Sequence, residues 1–164
     1  MLLEIKKFNE RVLRQKAKPV ESVNEEIKKL VADMAETMTK NNGIGLSANQ
    51  VGVLKRVIVI SFGQDDRGVL SLINPKIIKK NKKTDVLEEG CLSFPEIYLE
   101  IKRPTEIEVE AVNLDGQSVK FNGKGLLARV IQHEVDHLNG ILFFNRLSFA
   151  AKIKFKLNNL SIKL

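Results

Sequence analysis

Both histidines of the chain, His133 and His137, lie in the nine residues QHEVDHLNG at 132–140, four positions apart, with Glu134 and Asp136 between them. No other feature constrains the fold as tightly. On an α-helix, residues i and i+4 are about 40° apart around the axis and ~6 Å apart along it, so both imidazoles leave one face and can grip one ion. Glu134, beside the first histidine, then reaches a water on that ion. The flanking sequence supports a helix over 124–139, with Leu126, Leu127, Val130, Ile131 and Leu138 on its apolar side and Gly140 past its end. A solvated helix whose histidines fall four apart by coincidence has the same spacing, so the decision rests on the other ligands.

A catalytic ion takes three protein ligands and leaves one position for water. After Asp136 the chain has no Asp or Glu, and after His137 no His or Cys. The third ligand therefore lies upstream, and the soft candidate is unique: Cys91, the one cysteine, in EEGCLSFPE at 88–96. That segment reads as an extended turn with a flexible glycine ahead of the thiol. A free cysteine is often just a small buried hydrophobe. Here, however, the entire His and Cys inventory adds up to the three ligands such an ion needs. A lone thiol also precludes an internal disulfide and suits a reducing compartment.

Elsewhere, residues 22–41 predict a helix capped by Ser22, with Glu25 completing a capping box and Gly43 as the stop. Ile27, Leu30, Val31, Met34 and Met38 form its apolar stripe. The glycine-bearing loop GIGLSANQVG follows. Residues 56–62 and 68–74 read as strands, 75–80 as a weaker one, and 105–112 as a half-exposed one. A turn at 114–117 returns the chain into a hairpin partner at 118–122. The last stretch, 148–164, fits a helix begun by Ser148, with Ala150, Ile153, Leu157, Leu160 and Leu164 in step. Its KIKFKL also alternates as a strand does, and the helix is the favoured reading. Strands in series with flanking helices, and no repeat or linker, give one α+β domain over 1–164.

Charge narrows the partners only a little. The chain carries 27 basic against 20 acidic residues, a net +7, which fits either acidic partners or simply a basic enzyme. No signal-peptide core or apolar run of membrane-spanning length is evident, so the chain reads as cytoplasmic, without membrane or DNA as partner.

Three segments, GIGLSANQ at 43–50, EGCLS at 89–93 and HEVDH at 133–137, together resemble the ordered motifs of the peptide deformylases. The likeness runs from the first helix to Asn145. It implies small antiparallel or mixed sheets packed around the central HExxH helix, with an N-terminal and a C-terminal helix. It implies Cys91, His133 and His137 as ligands of one divalent ion, Fe2+ first, with Zn2+, Ni2+ or Co2+ as alternatives. Glu134 becomes the catalytic carboxylate, and Gln50 with the Leu92 N–H the groups that polarise the formyl oxygen. The substrates implied are N-formylmethionyl nascent peptides, and the product formate. Ile44, Leu87, Leu126 and Val130 would wall the methionine pocket, and Ile44, Gly45 and Tyr98 would follow the substrate backbone. Glu89 would pair with Arg103 to hold the cysteine turn, and Asp136 would orient a ligand or cap structure.

Departures are small: Ser47 for the usual alanine, Asn49 for a frequent proline, Asn145 for a frequent aspartate. After Asp136 come Arg146, Lys152, Lys154, Lys156 and Lys163 with no acidic side chain. They form either a solvated face or a contact to the ribosome. The rival readings are a general zinc peptidase and a non-catalytic, ribosome-associated homologue. The missing downstream ligand opposes the first; intact Glu134, Gln50 and Cys91 oppose the second.

Overall fold

A computed structural model describes residues 1–61 and 68–158. The first helix, α1 (Glu25–Lys40), starts two residues later than expected. Its cap is Asn24 rather than Ser22: the Asn24 side chain accepts from the Ile27 N–H at 3.0 Å. Asparagine caps as well as serine, and this one stands directly before Glu25 and Glu26, whose charges suit a helix N-terminus. At the other end the left-handed residue is Asn42 (φ 54), not Gly43. Gly43 instead permits a close approach, since a Cβ there would lie 2.7 Å from Leu92 Cδ1.

Five antiparallel strands form the main sheet: β1 (Gly45–Ser47), β2 (Val57–Ser61), β3 (Val69–Lys80), β6 (Glu106–Val112) and β7 (Ser118–Lys124), ordered β1-β2-β3-β6-β7. The expected strands at 68–74 and 75–80 are one strand, β3, with Pro75 inside it. Asn74 (φ 53) and a register shift between Ile73 and Lys76 make a bulge there. A bulge is where a sheet tolerates a residue with no N–H to donate. Phe62, placed in β2 by its sequence, lies outside the described residues.

β4 (Thr84–Cys91) and β5 (Phe94–Pro104) pair as a separate hairpin. The stretch expected to be an extended turn is thus the tip of two long strands. Polar residues on both faces of TDVLEEG hid the alternation that marks 106–112.

α2 (Gly125–Leu138) packs on one face of the main sheet and α1 on the other. β2 shows why both faces fill: Ile58 and Ile60 join Ala128, Ile131, Val135 and Leu138 of α2, while Val57 and Val59 join Val31, Met34 and Met38 of α1. Strand side chains alternate between faces, so four apolar residues in a row serve two cores. The α2 helix is buried almost all round from Ala128 to Leu138. Leu126, expected on its apolar side, is 63% exposed. Under the hairpin, Leu13, Phe94, Leu142 and Phe143 form a third cluster. The final helix, α3 (Phe149–Asn158), follows a Ser148 hydroxyl that accepts from the Ala151 N–H, and it buries Phe155 against Ile101 and Leu147. Leu160, Lys163 and Leu164 lie outside the described residues. Among the described residues no helix is long and apolar enough to cross a membrane.

Candidate metal centre

His133, Glu134, Asp136 and His137 stand on the buried stretch of α2, none more than 8% exposed. The end of β4 brings Cys91 to them. Cys91 Sγ lies 3.3 Å from His137 Nε2, which lies 3.2 Å from His133 Nε2. The three ligand atoms all fall within 4.8 Å of one another. Tetrahedral ligation, at ~2.0–2.1 Å to nitrogen and ~2.3 Å to sulfur, places neighbouring donors about 3.3–3.6 Å apart. The observed spacing fits such an ion. Donor lone pairs so close in a buried site need positive charge among them.

The protonation equilibria express the same demand. Burial and the neighbouring His133 hold the His137 imidazole well below its ordinary pKa. Burial opposes charge on His133 too, but the Cys91 sulfur and the Glu89 carboxylate outweigh it and push His133 up to about 10. Without an ion, a proton supplies the charge. Burial drives Glu134 up to about 7, and the nearby His133 only partly offsets it. Its Oε2 is buried without a hydrogen-bond partner among the described residues. A carboxyl poised near neutrality beside an ion site can take a proton and return it. Gly45 makes room for it: a Cβ there would lie 2.5 Å from Glu134 Oε1 and 2.8 Å from Val130 Cγ1.

Gln50 sits in a single helical turn, Ala48–Val51, after β1. Its Oε1 accepts from the Ser47 N–H at 2.9 Å and the Ser47 hydroxyl at 2.8 Å. That fixes Nε2 toward Cys91 Sγ (3.5 Å) and Ser93 Oγ (3.2 Å). The hydroxyl that Ser47 adds therefore orients the amide. Asn49 Nδ2 donates to the His137 carbonyl at 2.6 Å, pinning the end of α2. Asn145 Oδ1 accepts from the Leu142 N–H at 2.9 Å.

Beneath the ligands lies a buried network of charges. Glu89 accepts from His133 Nδ1 (2.9 Å), Arg103 Nε (2.6 Å) and Nη2 (3.0 Å), and Arg129 Nη1 (2.6 Å). Arg103 Nη1 continues to Asp136 (2.8 Å), which Arg146 also engages. Asp136 thus bridges two arginines and is not bound to a ligand side chain. Burial alone would raise Glu89, but the hydrogen bonds from His133 and Arg103 prevail and bring it down to about 2. The carboxylate fixes the His133 tautomer that offers Nε2 to an ion, an arrangement that also makes the imidazole a better ligand. The sequence reading missed Arg129, and it placed Arg146 in the basic tail, whereas Arg146 turns in to Asp136. An arginine inside the buried run ARVIQH at 128–133 could have signalled a buried carboxylate, since such a charge persists only when paired.

A cleft of about 630 Å³ opens over the cluster, lined by Gln50, Cys91, Leu92, His133 and Glu134. Of the residues expected to hold substrate, Ile44, Gly45, Tyr98, Leu126 and Val130 line it, and Leu87 does not. Ile44, Tyr98 and Leu126 are 52%, 64% and 63% exposed, so the rim presents apolar surface to solvent. Clustered exposed hydrophobics mark a binding site.

The sequence model of the polypeptide deformylase family matches residues 2–152. The chain is 45% identical over 142 residues to a peptide deformylase of Thermoanaerobacter pseudethanolicus, covering 87% of each. Its fold superposes with a TM-score of 0.92 on a peptide deformylase from Synechococcus elongatus in complex with actinonin. Identity there is 39%, with 99% of this chain and 89% of that chain covered. A Met-Ala-Ser-bound class I type b peptide deformylase from Acinetobacter baumannii gives a TM-score of 0.85 at 34% identity, with 90% and 99% covered.

Proposed function

The chain belongs to the polypeptide deformylase family and removes the N-formyl group from nascent peptides; we propose that it does so with Cys91, His133 and His137 as metal ligands and Glu134 as the proton carrier. A divalent ion held there supplies Lewis acidity toward water and the formyl oxygen. Glu134 takes the proton of the attacking water and delivers it to the departing α-amine. Gln50 Nε2 and the Leu92 N–H donate to the formyl oxygen as charge builds on it, each worth roughly 3–4 kcal/mol of barrier. The methionine side chain rests against Ile44, Leu126 and Val130, while Gly45 and Tyr98 flank the substrate backbone. Met-Ala-Ser, bound by the Acinetobacter relative, has the form of a deformylation product, and a cleft of 630 Å³ is of the size that takes a ligand of that order. Glu89 and Arg103 hold the ligands from behind.

The observation that carries this reading is the meeting of Cys91, His133, His137 and Glu134 in one cleft with the Gln50 amide aimed at the sulfur. Formate release from formyl-Met-Ala-Ser, with metal supplied and oxygen excluded, tests it. Wild-type turnover with loss in Glu134→Ala is expected; no release by the wild type refutes it.

Cys/His₂ ligation suits several ions, and Fe2+ is the working ion proposed, ahead of Zn2+, Ni2+ or Co2+. Zinc alone in fully active protein prepared without oxygen would refute the iron assignment. The enzyme acts in the cytoplasm, where nascent chains emerge. Lys152 and Lys154 of α3, beside exposed Phe149, Ile153 and Leu157, support a ribosome contact. Its salt-dependent co-sedimentation with ribosomes should vanish when 148–164 are deleted; retention refutes the contact.

A further inference from the structure

A second depression, of about 720 Å³, lies between β5 and α3. We propose that it is a distal subsite for the formylated chain, taking residues beyond the first three; this rests on the deformylase reading. Its floor is apolar, built from Ile97, Leu147 and Phe155. It borders the catalytic cleft: Glu96, Ile97 and Tyr98 line both. The two depressions therefore adjoin at Glu96–Tyr98 of β5, one reaching the metal ligands and the other α3.

The junction is shaped for a chain to cross. Tyr98, 64% exposed, lies over Gly90, where a Cβ would come within 2.9 Å of its ring. A glycine next to Cys91 thus lets the ring lie low on the hairpin, as a platform and not a wall. Beside it Glu96 holds φ 62 inside a strand, a conformation uncommon for any residue but glycine. Such outliers gather at ligand sites.

A substrate longer than a tripeptide has to leave the first cleft, and each extended residue advances ~3.3 Å. The second depression is where that path continues. Its banks carry Glu96, Glu100, Lys102 and Lys154, which make no ion pair or side-chain hydrogen bond among the described residues. An apolar floor with free charges of both signs receives an extended peptide of mixed sequence. An enzyme serving many different nascent chains needs that tolerance.

The test compares formyl-Met-Ala-Ser with the same peptide extended by five mixed residues, measured as formate release. Wild-type kcat/KM should be about tenfold higher for the long peptide, through KM, equivalent to ~1.4 kcal/mol. Val86→Trp places an indole in the groove from a half-exposed site remote from the ligands. Lys154→Glu reverses a charge on its bank. Each should retain wild-type rates on the short peptide, which also reports folding, and lose most of the long-peptide advantage. Equal kcat/KM for both peptides in the wild type overturns the subsite, as does an advantage that survives both substitutions. Failure of the wild type on the short peptide instead refutes the deformylase reading, and the subsite with it.

Discussion

Replacing Glu89 by glutamine keeps the shape of the side chain and removes the charge on which the site's foundation converges. The carboxylate takes four hydrogen bonds, from Arg103 twice, Arg129 and His133. An amide has one acceptor oxygen, so either the Oε1 pair or the Oε2 pair meets an N–H₂ instead. Arg103 retains Asp136 and Arg129 retains Asp85, yet both guanidinium groups stay 4–5% exposed with less anionic charge to face. Removing one partner of a buried ion pair costs about 3–5 kcal/mol. Linkage gives an independent figure: Glu89 falls from an ordinary 4.5 to about 2, and at ~1.4 kcal/mol per pKa unit that is about 3 kcal/mol. A depressed acid stabilises the fold above its unfolded pKa and ceases to as pH drops. The contribution is therefore whole above about 4.5 and disappears as pH falls toward 2. Urea unfolding of Glu89→Gln at neutral pH should show a loss of about 3 kcal/mol. The gap to wild type should narrow in acid. Metal affinity, by chelator competition, should weaken ~10–100-fold as His133 loses its orienting partner. A stability change within about 0.5 kcal/mol, the range of surface substitutions, would show that the network does not support the fold.

Glu134→Gln should lower kcat by ~10²–10⁴ with metal content unchanged, since only the proton carrier is removed; loss of metal would point to a ligand role instead. Gly45→Ala sets a methyl 2.5 Å from Glu134 Oε1, and displacing a reacting group by ~1 Å costs about 10²-fold. A wild-type kcat would refute the close fit. Gly140, at φ 71, would place a Cβ 2.5 Å from the Arg14 carbonyl oxygen. Its change to alanine should cost at least ~1–2 kcal/mol for the left-handed backbone, with activity per folded molecule preserved, as denaturant titration alongside formate release would show.

The legible parts of this protein were those whose signal is local. The stripe of Ile27, Val31, Met34 and Met38, the run Val57–Ile60, and the four-residue step from His133 to His137 each express a helix or strand period within a few residues. Chain inventory then named Cys91, because no other soft ligand existed. The β4–β5 hairpin was not legible, since polar residues on both its faces erase the period of two. The cap is Asn24 and not Ser22, though both residue types cap well and the sequence offers both within three positions. Tertiary packing alone brought a sulfur 46 residues from His137 into contact with it. It also set Arg129 against Glu89 and Arg146 against Asp136, and turned Tyr98 over Gly90. Those pairings join charges and rings from separate elements, and no short stretch of sequence records which distant partner a buried charge will meet.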